Sequence, residues 1–370
     1  MKLKNPTCSR AESTDDSNPL TNHRPQPYTR SIDALNSRTE HYLRAQASAP
    51  SVRTVALLDT AAASTNLGDH IIMEAVRGEI ADLFRDCMVF SITSHEWMGP
   101  HSRHLIRRAR WAISGGTSLL SSRMWFRSSW RVTPIDALAR LNIILMGAGW
   151  HQYQHRADPY SRWMLRSLVS RDRLHSVRDS YTEHMLASIG IRNVVNTGCP
   201  TIWPLTPEHC AGVPRQKADA VVTTVNSYTG LQNRAADRRL LEILKRQYST
   251  VYLWIQTHTD YEYARSLVND LVYINPRVAA LDGVLTSDLD LDYVGNRLHA
   301  GIRALQRGRR TIIVEIDNRA HEMGGDFGLP TVGRTDFERL EQMIATPFET
   351  AIKLPDTSIA RWKSQFHDAP

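Results

Sequence analysis

The sequence predicts an α/β protein of two Rossmann-like lobes with a cleft between them, and three observations carry that prediction. Short apolar runs alternate with stretches of helical spacing, which is the grammar of parallel strands joined by helical crossovers. Glycine-containing turns follow several of those runs, where the loops of such sheets collect ligands. The chain is 370 residues long, beyond the roughly 250 residues at which one hydrophobic core usually stops growing. With 42% apolar and 22% charged residues, it can bury enough surface to offset the entropy of ordering most of its length.

Residues 1–50 are rich in Ser, Thr, Asn, Pro and Arg and lack apolar periodicity, so they read as a mobile extension. Ordered structure is expected from Arg53 to Asp59, a strand-type run, followed by a polar loop and helical spacing through Ile71–Val76. The pattern recurs at Cys87–Ser91, at Trp111–Ser114 before Gly115-Gly116, and at Asn142–Met146 before Gly147-Ala148-Gly149. Residues 51–205 thus form the expected first lobe. Pro200, Pro204, Pro207 and Pro214 punctuate a stretch that reads as polar, and the strand pattern restarts at Ala218–Val225. Residues 206–355 form the expected second lobe, with a helix over Leu240–Gln247 and strands at Val251–Ile255 and Thr311–Ile316. A closing helix within residues 356–370 is expected to return to the first lobe.

Lysine and arginine outnumber acids 45 to 38, and arginine supplies most of them. That favours an anionic partner such as phosphate, carboxylate or anionic glycan. Nucleic acid is disfavoured: there is no helix-turn-helix, zinc-finger spacing or aromatic RNA-binding signature, and the cations are scattered among acids. Cys8, Cys87, Cys199 and Cys210 form no CxxC pair, so they outline neither a zinc site nor a disulfide framework, and a reducing cytoplasm is expected. No apolar run approaches the roughly 18 residues of a membrane span; an association with the inner face of the cell membrane would be peripheral.

Several strand ends carry candidate chemistry. Thr65–Asp69 includes Asn66, Gly68 and Asp69, which either cap the following helix or meet an anion or sugar. Gly115, Gly116 and Thr117 either turn the chain or contact ligand. Gly147-Ala148-Gly149 lacks the full dinucleotide fingerprint, so no NAD is inferred. Arg178 stands at a strand end and helix start, where it binds an anion or pairs with Asp179. The segment Tyr293–His299 ends a buried strand and turns Arg297 and His299 toward the cleft. Arginine there can hold phosphate in a bidentate fork, and histidine can exchange protons near neutrality. Asp317, Asn318, Arg319 and Glu322 follow the next strand and either cap a helix or orient sugar hydroxyls.

Taken in order, NLGD at 66–69, SGGTSLL at 114–120, MGAG at 146–149, VRDSYT at 177–182, TGCPT at 197–201, DYVGNRLHAGIRAL at 292–305 and IDNRAHEM at 316–323 resemble the polysaccharide pyruvyl transferase family. The resemblance implies a GT-B-like pair of lobes and transfer of a pyruvyl group from phosphoenolpyruvate to a sugar, giving a ketal and phosphate. It puts Arg178, Arg297, Leu298 and His299 on donor-binding elements, with His299 as proton donor and Asp69 or Asp317 orienting the acceptor. Phosphoenolpyruvate enters as co-substrate, and no other cofactor and no metal is implied. The implied acceptor is a sugar in a polysaccharide or its precursor, which could be a lipid-linked oligosaccharide. Cys199 stands where many relatives carry an aspartate, and no histidine at a recognisable sequence spacing makes it a nucleophile. Two other functions fit the same residues: a glycosyltransferase using a nucleotide sugar, and a non-catalytic glycan-binding protein.

Overall fold

The computed structural model describes residues 52–126, 129–229 and 233–367. The expected N-terminal extension, with Cys8, lies outside the described residues. The first sheet holds β1 (Thr54–Asp59), β2 (Met88–Thr93), β3 (Trp111–Gly115) and β4 (Ile144–Met146) in the order β2-β1-β3-β4, all parallel. A parallel pair, β5 (His175–Val177) and β6 (Val194–Asn196), continues this layer through a bridge between Ala148 and Val177. Its helices are α1 (Leu67–Leu83), α2 (Pro100–Arg108), α3 (Pro134–Leu138), α4 (Pro159–Leu168) and α5 (Ser180–Ser188).

The second sheet joins β7 (Ala220–Thr223), β8 (Thr250–Trp254), β9 (Val272–Ile274), β10 (Leu291–Gly295), β11 (Thr311–Glu315) and β12 (Thr331–Gly333). Its order is β12-β11-β10-β7-β8-β9, again wholly parallel. The remaining helices are α6 (Pro207–Ala211), α7 (Arg234–Gln247), α8 (Asp260–Arg265), α9 (Val278–Leu285), α10 (Leu298–Gln306), α11 (Asn318–Phe327), α12 (Phe337–Ala345) and α13 (Asp356–Ser364).

Both strand orders position the site. In a doubly wound sheet a crevice opens where neighbouring strands send their connections to opposite sides. In the first sheet that point lies between β1 and β3, so the loops holding Asn66 and Thr117 border it. In the second it lies between β7 and β10, which puts Thr224–Asn226 beside Asn296–Arg297.

The lobes are not joined by a bare linker. One apolar cluster combines Ile72, Met73 and Val76 of α1 with Leu298, Ile302 and Leu305 of α10, and Met323 and Phe327 of α11 join them. The proline-punctuated stretch expected to be polar fills this shared core: Cys199, Ile202, Trp203, Leu205 and Cys210 are all buried in it. Its apolar residues between the prolines decide the outcome, and Pro207 serves as the first residue of α6 behind the Thr206 cap. The α13 helix returns to the first lobe, where Trp362 meets Trp203 and Phe366 sits edge-on to Phe84 and Trp111.

Candidate functional site

The α10 helix begins at the second crevice because Arg297, its cap residue, is held extended by three backbone contacts. Its N–H donates to Thr224 Oγ1 at 3.2 Å, its carbonyl accepts from the buried Tyr293 hydroxyl at 3.0 Å, and it accepts from the Gly301 N–H at 3.1 Å. The first N–H groups of a helix lack intrahelical partners and favour an anion. Leu298 occupies the first of these positions, but its side chain lies in the interlobe core. Any contact from Leu298 to a ligand is therefore through its backbone.

His299, one residue on, is buried with Nε2 at 3.6 Å from Cys199 Sγ. Burial pushes its imidazole well below the ordinary range, and the Arg319 and Arg178 cations push it the same way, against the opposing pull of Asp317. The resting imidazole is neutral. Burial raises the Cys199 thiol, so the pair is a neutral thiol beside a neutral ring. One hundred residues separate the two in sequence, so spacing alone does not reveal the contact.

Arg178 is fully buried at the end of β5. Its Nε donates to Asp179 Oδ2 at 3.1 Å and its Nη1 to Ser118 Oγ at 3.3 Å, while Nη2 has no partner. Asp179 also caps α5, accepting from the Thr182 N–H at 2.8 Å. The guanidinium lies against Gly149, where a Cβ would come 2.1 Å from Nη2. A side chain at that position would displace the cation. The structure thus contains the Arg178–Asp179 pair and, beside it, an unsatisfied buried N–H edge; such an edge is costly without an anion or another acceptor.

Asp317 caps α11 through the Arg319 N–H at 3.0 Å, and both its oxygens accept from the Arg319 side chain. Burial favours its neutral form, but the Arg319 guanidinium, with Arg178 farther off, outweighs burial and holds the carboxyl at about 2. Asp317 is therefore a permanent carboxylate. Arg319 is raised despite burial because Asp317, and across the crevice Asp69, stabilise its charge. Asn318 donates to the Trp150 carbonyl at 3.3 Å, and Glu322 accepts from Tyr153 at 2.5 Å, so α11 is tied to the first lobe.

Asn66 takes the capping role, and Asp69 ties neighbouring segments together. Asn66 Oδ1 caps α1 by accepting from Gly68 at 3.1 Å and also accepts from Gln256 of the second lobe at 2.7 Å. Asp69 accepts from Ser64 at 2.6 Å and from Thr117 at 3.1 Å, which brings the loops after β1 and β3 together. Gly68 admits Gln256, since its Cβ would sit 3.0 Å from Nε2. Gly115 and Gly116 instead make room for α1: added Cβ atoms would strike Val76 and Ile72, and Gly116 has φ +39.

Arg297 faces another wall. Its Nη2 lies 2.8 and 2.9 Å from the two Asp260 oxygens, its Nε donates to the Val225 carbonyl at 3.1 Å, and the Tyr228 ring lies 5.5 Å away. Burial lowers its proton affinity, while Asp260 restores part of it. Gln256 and Asp260 belong to the segment following β8 and escaped the sequence reading. Their place at a strand end of the second sheet is the signal that could have found them.

The structure therefore gathers Arg178, His299, Asp317 and Arg319 from three separate segments, with Asp69 in the first turn of α1 and Thr117 on the loop after β3 beside them. Residues 66–318 match the family model described as polysaccharide pyruvyl transferase. This is more than half of the chain, and the chain belongs to that family. No curated protein matches it. Among solved structures it is similar to an S. aureus MnaA–UDP co-structure at 12% identity and TM-score 0.44, over 80% of this chain and 92% of that one. It is also similar to the E. coli heptosyltransferase WaaC with ADP-2-deoxy-2-fluoro heptose at 13% identity and TM-score 0.33, over 76% and 92%. No helix among the described residues is long and apolar enough to cross a membrane.

Proposed function

We propose that the protein transfers a pyruvyl group from phosphoenolpyruvate to two hydroxyls of a sugar, forming a cyclic ketal and releasing phosphate. The observation that carries this reading is the buried, unpartnered Nη2 of Arg178 in a site that also holds Arg319 and a neutral His299. Two cations and the α10 N-terminus suit a donor with a phosphate and a carboxylate.

In this scheme the donor methylene gains a proton and C2 becomes electrophilic. One sugar hydroxyl adds to C2, the C–O bond to phosphate breaks, and the second hydroxyl closes the ketal. Two hydroxyl protons are released in all: one replaces that consumed in forming the methyl group, and one leaves with phosphate or solvent. His299 is the proton carrier. A ring made a weak base by burial and nearby cations is a strong acid once it holds a proton, which favours delivery to carbon. Asp317 cannot donate because it stays ionised; it fixes Arg319, and Asp69 and Asp317 are the carboxylates available to orient acceptor hydroxyls. Arg297 and the Leu298 backbone form the donor-side wall, with Asn66, Gly68, Thr117, Asn318 and Glu322 around the acceptor side. The acceptor belongs to a polysaccharide or its lipid-linked precursor, met at the cytoplasmic side of the membrane.

The test is incubation with phosphoenolpyruvate and candidate glycans, reading phosphate release together with the glycan mass. A pyruvate-sized mass gain coupled to phosphate is expected, and turnover only with a nucleotide sugar would overturn the reading. His299→Ala should abolish turnover while the circular dichroism spectrum is unchanged.

A further inference from the structure

The first lobe carries a second cationic surface unconnected with this chemistry. A groove between α2 and α3 is lined by Arg107, Arg110, Leu138 and Arg140. It runs on past His104 and Ile135 at one end and past Trp163 and Arg166 at the other. Arg107, Arg108, Arg140 and Arg166 are exposed and, among the described residues, pair with no carboxylate, whereas Arg103 is tied to Asp136 at 3.0 Å.

The cap of α3 sets the character of this face. Thr133 and Asp136 form a reciprocal capping box, which buries Asp136. Ile135 and Leu138, three residues apart and so neighbours on the helix surface, are left 60% and 73% exposed. Two large aliphatic side chains therefore stand in water among Arg107, Arg108, Arg140 and Arg166. Trp163, 39% exposed, extends the apolar area.

We propose that this face docks the protein on an anionic lipid bilayer. Ile135 and Leu138 enter the headgroup boundary while Arg107, Arg108, Arg140 and Arg166 meet lipid phosphates. Combined cationic and apolar groups match such a surface on both counts. Nucleic acid would satisfy the arginines but leave the aliphatic side chains wet. A symmetric contact with a second copy would set arginines against arginines. None of these residues belongs to the Arg178–His299 cluster, so docking and turnover can be separated.

The experiment is co-sedimentation of the full chain with phosphatidylcholine vesicles, with and without phosphatidylglycerol. Binding is expected only with the anionic lipid. Ile135→Asp combined with Leu138→Asp should weaken it by about tenfold or more, as should Arg107→Glu with Arg108→Glu. Both variants should keep wild-type turnover of a water-soluble acceptor and the wild-type melting temperature. Wild-type vesicle binding by either double variant would overturn the proposal. So would absent vesicle binding by the native chain, whether accompanied by heparin binding that depends on Arg107 and Arg108 or by a dimer that Leu138→Asp disperses. The readout needs no substrate, so its failure is distinct from failure of the pyruvyl transfer reading.

Discussion

Arg178 ends a strand of the first lobe and Arg297 ends a strand of the second; both are buried, and both lie beside an aspartate. Arg297 spends two nitrogens on Asp260, Val225 and Thr257. Arg178 gives its Nε to Asp179 and its Nη1 to a single serine hydroxyl, and its remaining nitrogen rests unpaired against a glycine. A cation whose charge is already offset by a two-oxygen partner attracts a further anion weakly. A buried cation with an open edge attracts one strongly. The two arginines occupy equivalent places in the sequence pattern, yet the first keeps a buried N–H edge without a partner and the second is held by Asp260 and Val225.

The largest effect that would test this contrast is at Arg178. Arg178→Lys should lower kcat/KM for the donor by about a hundredfold or more, since an ammonium cannot reach Ser118, Asp179 and a bound oxyanion together. Gly149→Ala should follow, at roughly ten- to a hundredfold, because the new methyl collides with the guanidinium and misplaces it without touching its charge. A normal rate in that variant would show that the cradle is not needed.

Arg297→Lys should raise the donor KM less than Arg178→Lys does; equal losses would erase the distinction between the two arginines. Arg297→Ala should instead be read in stability, costing about 3–5 kcal/mol because buried Asp260 loses its partner, with Asp260→Asn in the same chain recovering part of the loss. Urea titrations of the two variants decide this.

The smallest effect concerns the scaffold beneath Arg178. His175, at the start of β5, is fully buried; burial lowers its imidazole to about 4, although its bond to the Ser170 carbonyl opposes the shift. The folded pKa is below the unfolded value of about 6.5. The unfolded chain therefore takes up a proton first as pH falls, and stability decreases from about pH 6.5 down to about 4, by on the order of 3 kcal/mol for this residue. His175→Gln should flatten that part of the pH dependence of Tm.

Much of this architecture is legible in the chain. The apolar runs at 53–59, 111–114 and 311–316 fall on β1, β3 and β11 within two residues, because buried parallel strands must be apolar on both faces. The short strands β9 and β12 left no distinct pattern, since three residues carry no period. In the Pro200–Pro214 stretch the prolines masked a buried apolar set, as local turn residues and tertiary burial are independent signals. The motifs located Asp69, Arg178, His299 and Asp317 after strands and singled out His299 as the proton donor, but they carry no record of what each side chain touches.

By itself, then, the sequence determined the two-lobed α/β class and which loops gather at the crevices, since strand periodicity and glycine turns are local properties. Only the tertiary structure decided what each side chain meets there: Cys199 against His299, Gly149 under Arg178, Asp260 on Arg297, Gln256 on Asn66. Those pairs join residues about 30 to 190 positions apart. Charge offset and desolvation depend on distance in space, which no spacing along the chain records.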